Sequence, residues 1–181
     1  MQSMTKNRVL VSAACLVFAT AALAARPQAV PDLSGTWKVA LDRASSVGGG
    51  GGAAGGPGGG RGGGLGLGPL ADELTVRQTA ATMTVVERRG TAKAEMSYAL
   101  DGRTVKNVLP AGRSSGAPAT YTSRWADGRL VTTIIGPPAP GSVTPTHYEE
   151  TRYLDTDGSL VVETKWVGQP HSRRVVYTKG K

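Results

Sequence analysis

From Glu73 onward the chain repeats one pattern: apolar and polar side chains alternate for the length of a strand, and a few turn-forming residues then interrupt. Between Glu73 and Thr79, Leu74 and Val76 fall on one face and Thr75 and Arg77 on the other, as a half-buried strand requires. The same reading predicts strands at Thr36–Leu41, Thr82–Arg88, Lys93–Leu100, Thr104–Leu109, Ala119–Ala126, Arg129–Gly136, Thr146–Leu154, Leu160–Val167 and Arg173–Thr178. Asp101-Gly102, Asp127-Gly128 and Asp157-Gly158 are Asp-Gly pairs of the kind that hairpin turns with positive φ prefer. Beyond the N-terminal segment no stretch carries apolar residues at helical spacing. The expected fold is therefore all-β and antiparallel. So many short strands in sequence leave costly edges unless the sheet closes, which favours an up-and-down meander barrel of about eight to ten strands. A two-sheet β-sandwich is the alternative.

The N-terminal segment departs from this pattern. Lys6 and Arg8 precede an apolar run from Val9 to Ala19, and Ala22-Leu23-Ala24 has the small-x-small form of a signal-peptidase site. Residues 1–24 read as a signal peptide and 25–181 as one domain. The apolar run is shorter than the roughly 20 residues a membrane-spanning helix needs, so no transmembrane anchor is expected after cleavage. Cys15, the single cysteine, lies in that run; few apolar residues precede it and Ser12 stands where lipoprotein sites favour leucine. The mature domain then has no thiol and depends on packing alone.

A glycine run at 48–68 has no period and few side chains to bury, which is the composition of a flexible, solvated insertion. Closure entropy rises only logarithmically with loop length, so a barrel tolerates it. Arg61 among these glycines does not make a repeated RNA-binding motif.

The formal charge of +8 falls by two, to +6, once Lys6 and Arg8 are removed. Its arginines are scattered singly or paired as Arg88-Arg89 and Arg173-Arg174, with acids between them, unlike the dense stripe that follows a phosphate backbone. Nucleic acid is not an expected partner; weak attraction to an anionic envelope surface is. His147 and His171 stand on separate segments, and His147 with Glu149 lacks a visible third ligand, so no metal or other cofactor is expected. There is no nucleophile elbow, phosphate loop or paired-carboxylate motif, and the chain reads as non-catalytic.

One predicted strand breaks the apolar alternation. In Thr146–Leu154, Tyr148, Glu150, Arg152 and Leu154 share one face and His147, Glu149, Thr151 and Tyr153 the other. Either face would carry charge inward. If Tyr148, Glu150 and Arg152 point in, with Arg124 as a neighbour from another strand, they form a polar patch suited to a ligand's head group. If the strand lies at an edge or rim, these charges stay in water.

Leu33-Ser34-Gly35-Thr36-Trp37-Lys38 resembles the opening of calycins, the lipocalins and fatty-acid-binding proteins, where Gly-x-Trp begins the first strand. Arg173-Arg174-Val175-Val176-Tyr177-Thr178-Lys179 resembles their closing strand, and Tyr153 to Trp166 the hairpin before it. Leu-Ser-Gly-Thr-Trp with a glycine-rich insertion and a β meander is similar to bacterial secreted proteins of lipocalin-like type. The resemblance implies a barrel plugged at one end by Trp37, with Gly35 allowing close passage and Arg173 or Arg174 lying across the indole. On a regular strand Arg173 shares a face with Tyr177, and Arg174 with Thr178. The implied function is binding of a small hydrophobic or amphipathic ligand inside the barrel, in the periplasm or outside the cell. An interaction or inhibitor-type module using rim loops such as Pro137-Pro138-Ala139-Pro140-Gly141 is the alternative.

Overall fold

The computed structural model describes residues 30–43, 45–47, 71–109, 117–138, 141–168, 170 and 172–180. The segment 1–24 read as a signal peptide, Cys15, the glycine run, Ala139, Pro140 and His171 lie outside the described residues.

The described chain is strand almost throughout: β1 (Gly35–Val39), β2 (Ser45–Val47), β3 (Glu73–Gln78), β4 (Thr82–Arg89), β5 (Ala92–Ala99), β6 (Asp101–Val108), β7 (Pro118–Ala126), β8 (Arg129–Pro138), β9 (Pro145–Leu154), β10 (Leu160–Trp166) and β11 (Ser172–Lys179), with one 3-10 turn at Leu41–Arg43. All pairings are antiparallel. The strand order is β5-β4-β3-β1-β11-β10-β9-β8-β7-β6, with β2 added beside β11. Sequence neighbours pair everywhere except at β1, which joins the last strand, and at β5 and β6, which form the two ends of the path. The result is a nearly closed meander barrel rather than a sandwich.

The alternation expected from sequence is what puts the core inside. Leu74 and Val76 of β3, Met83 and Val85 of β4, Met96 and Tyr98 of β5, and Tyr121 of β7 are buried. So are Leu130 and Ile134 of β8 and Val175 and Tyr177 of β11. β2, unforeseen in the sequence, pairs through Ser45–Val47 with Ser172–Arg174; three residues are too few for periodicity to register.

The seam between β5 and β6 is bridged by a side chain. Asn107 Nδ2 donates to the Ser97 carbonyl at 2.8 Å, and the Ser97 N–H donates to Asn107 Oδ1 at 2.9 Å. The carboxamide thus supplies the donor and acceptor that a neighbouring backbone would have offered. Asp101-Gly102 accordingly does not close a hairpin as expected: it sits in a register shift within β6, with Gly102 at φ +84°. Asp127-Gly128 does turn β7 into β8, both residues having positive φ, and Gly158 turns β9 into β10 at φ +77°.

One end of the barrel is plugged. Trp37 and Leu33 are buried, and Trp37 Nε1 donates to the Leu33 carbonyl at 3.0 Å. Gln78 holds the entering chain there: its amide donates to the Pro31 carbonyl, its Oε1 accepts from Leu33 N–H, and its backbone N–H donates to Ser34 Oγ. The β3–β4, β7–β8 and β9–β10 turns share this Trp37 end. The far end carries the strand termini joined by residues 48–72, 90–91, 109–117, 139–144 and 167–171.

Candidate functional site: a charged cluster inside the barrel

Tyr148, Glu150 and Arg152 of β9 point inward. The inward face of this strand holds the buried charges of Glu150 and Arg152, so the strand is not a solvated rim. Arg152 NH1 lies 2.7 Å from Glu150 Oε1, and each side chain is only 2% exposed. The Arg152 guanidinium also stands 4.7 Å from the centroid of the Tyr98 ring, while Arg152 Nε is buried without a hydrogen-bond acceptor among the described residues. Burial works against the Arg152 charge, but Glu150 and then Tyr98 outweigh it and raise its pKa. Burial likewise raises Tyr98 well above the usual tyrosine range.

Side chains from two other strands complete the cluster. Glu87 and Arg89, on the inward face of β4, form an ion pair at 2.7 Å. Arg173 enters from β11, opposite Thr164 in register, and Thr164 is in turn opposite Glu150. Tyr177, on the same face of β11 as Arg173, has its pKa pushed up to about 12, by burial first and then by Glu87. Glu87, Arg89, Glu150, Arg152, Arg173 and Tyr177 line one cavity of about 20 Å³, room for a single water. The cluster therefore brings three guanidinium groups and two carboxylates into a barrel interior whose walls are otherwise mostly apolar. A buried ion pair is a poor source of stability compared with apolar side chains of the same volume.

Arg124 does not belong to this site. It is exposed on the outer face of β7, because its neighbour Ser123 takes the inward position and hydrogen-bonds Thr132 at 2.9 Å. The barrel closure is also corrected in one respect. β1 and β11 are neighbours, and Gly35, at φ +143°, leaves room for the passing lysine: a Cβ there would stand 3.2 Å from Lys179 Cε. But Lys179 is the cation over Trp37, at 5.4 Å from the ring centroid. Arg173 lies at the opposite end of β11, in the charged cluster. Arg174 faces outward and pairs with Asp155 at 3.1 Å and Glu163 at 3.7 Å.

Sequence reasoning missed Glu87, Arg89 and the inward role of Arg173. Glu87 continues the inward series of Met83 and Val85, so the alternation contained the signal, but an acid at the end of an apolar series reads as a strand end. His147 lies on the outer face of β9 beside Glu149. Among the described residues no three histidine, cysteine or carboxylate side chains gather as metal ligands would.

The far end carries two surface grooves flanking Trp166-Val167-Gly168. One, of about 710 Å³, is lined by Ile135, Pro145, His147, Trp166 and Val167 among others. The other, of about 380 Å³, includes Glu149, Lys165 and Pro170. Trp166 packs against Tyr148 with ring centroids 5.3 Å apart.

A ten-strand antiparallel meander with its first and last strands paired and a tryptophan plug at one end defines a calycin-like barrel. Among solved structures, the fold is similar to one described as "REP1-NXSQ fatty acid transporter", with a TM-score of 0.52 and 11% sequence identity over 82% of this chain and 96% of that one. At that identity the likeness is one of fold. No protein-family model and no curated protein matches the sequence.

Proposed function

We propose that the chain is an exported, non-catalytic binding protein whose barrel receives the polar head of a small amphipathic molecule at the cluster of Glu87, Arg89, Glu150, Arg152 and Arg173. The observation that carries this reading is the Glu150–Arg152 pair, both side chains 2% exposed. Charge held so deep costs stability that an apolar pair would not, and a head group with hydrogen-bonding oxygens would use it. The similarity in fold to a fatty acid transporter supports the same reading. The cavity of about 20 Å³ means that a head group enters by displacing side chains near Arg89 and Arg173, not by filling a ready-made hole. The signal-like segment at 1–24 supports export.

Native mass spectrometry of the protein purified from its own envelope, joined to N-terminal sequencing, tests both parts. The expected result is a chain beginning near Ala25 with a retained small mass that is lost in the variant Glu150→Gln/Arg152→Met. An intact Met1 on envelope protein overturns cleavage of the signal-like segment, and recovery of the chain only outside the envelope fraction overturns export. No retained mass, together with no thermal shift across a panel of fatty acids, lysolipids and detergents, overturns ligand binding.

An interaction module acting through its rim is the second reading, favoured by the 710 Å³ groove beside Trp166. It predicts co-purification of a protein that Trp166→Ala releases.

A further inference from the structure

We infer that the interior cavity holds one small inorganic anion, about the size of chloride, against the Arg152 guanidinium. The inference goes beyond the amphiphile reading and does not depend on it, since a monatomic anion needs neither a head group nor a displaced side chain.

Charge around this cavity does not balance. Its wall carries Arg89, Arg152 and Arg173 against Glu87 and Glu150, an excess of one positive charge. All 13 acidic side chains of the sequence lie among the described residues, and only these two line the cavity. No aspartate or glutamate is left over to supply the balance. However the three guanidinium groups share the two carboxylates, the sum stays positive.

Arg152 is the most deeply buried of the three. Its side chain is 2% exposed, and its Nε has no hydrogen-bond acceptor among the described residues. A buried N–H without an acceptor costs stability, and more so when the group is charged. The cavity it lines, about 20 Å³, has room for one water-sized particle. A water there would accept from the guanidinium but leave the excess charge in place, whereas a chloride of similar size does both. An ion of several oxygens, such as phosphate, is larger than this volume. Thr164 and Tyr177 line the same cavity and bring neutral hydroxyl donors to it. Away from bulk water the attraction between a guanidinium and an anion is several times stronger than in solution.

Thermal unfolding of the purified protein at constant ionic strength, with gluconate replaced stepwise by chloride and no lipid present, tests the site. The melting temperature is expected to rise by roughly 2 to 4 °C as chloride fills it. Glu150→Gln/Arg152→Met should abolish that dependence, whereas Arg174→Gln, on the outer face, should retain it. Crystals grown in bromide should show the ion within hydrogen-bond reach of Arg152 Nε, a readout that needs no variant. A melting temperature indifferent to chloride, a dependence that survives in the double variant, or bromide found only elsewhere overturns the inference. None of these results bears on whether the envelope protein retains an amphiphile, so the head-group reading stands or falls by its own mass measurement.

Discussion

Lys179 Nζ lies over the indole of Trp37, 5.4 Å from its centroid, and the two residues are direct partners across the β1–β11 ladder. One pair thus ties the start of the described barrel to its end. The indole fills the barrel end, its N–H is satisfied by the Leu33 carbonyl, and the lysine stem covers what remains. Trp37→Ala should cost about 3 to 5 kcal/mol, the usual loss for a large buried aromatic. Lys179→Ala should cost roughly 0.5 to 1 kcal/mol, as expected of a cation–π contact at an exposed site. Denaturant unfolding of the double variant should give less than the sum, since touching residues couple. Arg174→Ala, whose partners Asp155 and Glu163 are on the outer face, should add independently to Trp37→Ala; coupling there would contradict the observed closure.

The Glu150–Arg152 pair has the opposite energetic character. Arg152→Met removes the nearest counter-charge of a buried carboxylate and should destabilise by about 3 to 5 kcal/mol. Glu150→Gln in the same chain removes the buried carboxylate charge and should recover most of that loss. Chemical denaturation of the two variants side by side decides the matter: a double variant no better than the single one would mean that the pair itself stabilises the barrel.

Asn107 holds the seam through two hydrogen bonds to one residue of β5. Asn107→Ala should cost on the order of 1 to 2 kcal/mol, since a typical bond contributes about 1. Its more specific signature is local: the Ser97 amide should exchange with solvent faster, while amides of the β8–β9 ladder change only with global stability. Uniform acceleration across both regions would show that the seam has no separate opening.

Tyr177 makes stability fall at alkaline pH. Its folded-state pKa is raised to about 12, above the ordinary value near 10. The unfolded chain therefore loses its phenolic proton first, and the contribution of burial, complete below about pH 10, is lost as pH climbs toward 12. The shift corresponds to roughly 2 to 3 kcal/mol. Tyr177→Phe should flatten the decline between those limits in urea-unfolding curves recorded as a function of pH. An unaltered slope would show that other groups cause it.

Several features were legible in the chain because they depend on neighbours in sequence. Alternation along Glu73–Thr79 or Arg129–Gly136 fixes which side chains share a face, and Asp127-Gly128 carries the backbone preference that turns one strand into the next. That Tyr148, Glu150 and Arg152 share one face was also readable, as was the shared face of Arg173 and Tyr177. What a strand pattern cannot state is which of two faces is the inside when both are polar, or which residues meet across strands far apart in sequence. Those choices follow from closure and register. Once β1 pairs with β11 at Trp37 opposite Lys179, the lysine becomes the cation over the indole and the arginine pair is moved along the strand. Arg173 then falls level with Glu150 through Thr164, and Arg174 is left outside with Asp155. Arg124 fails as a site residue for the same reason, since a register that turns Ser123 inward turns its neighbour out. The period of two belongs to the sequence, whereas the assignment of partners belongs to the closed sheet, because shifting a strand by one residue exchanges every inward side chain for an outward one.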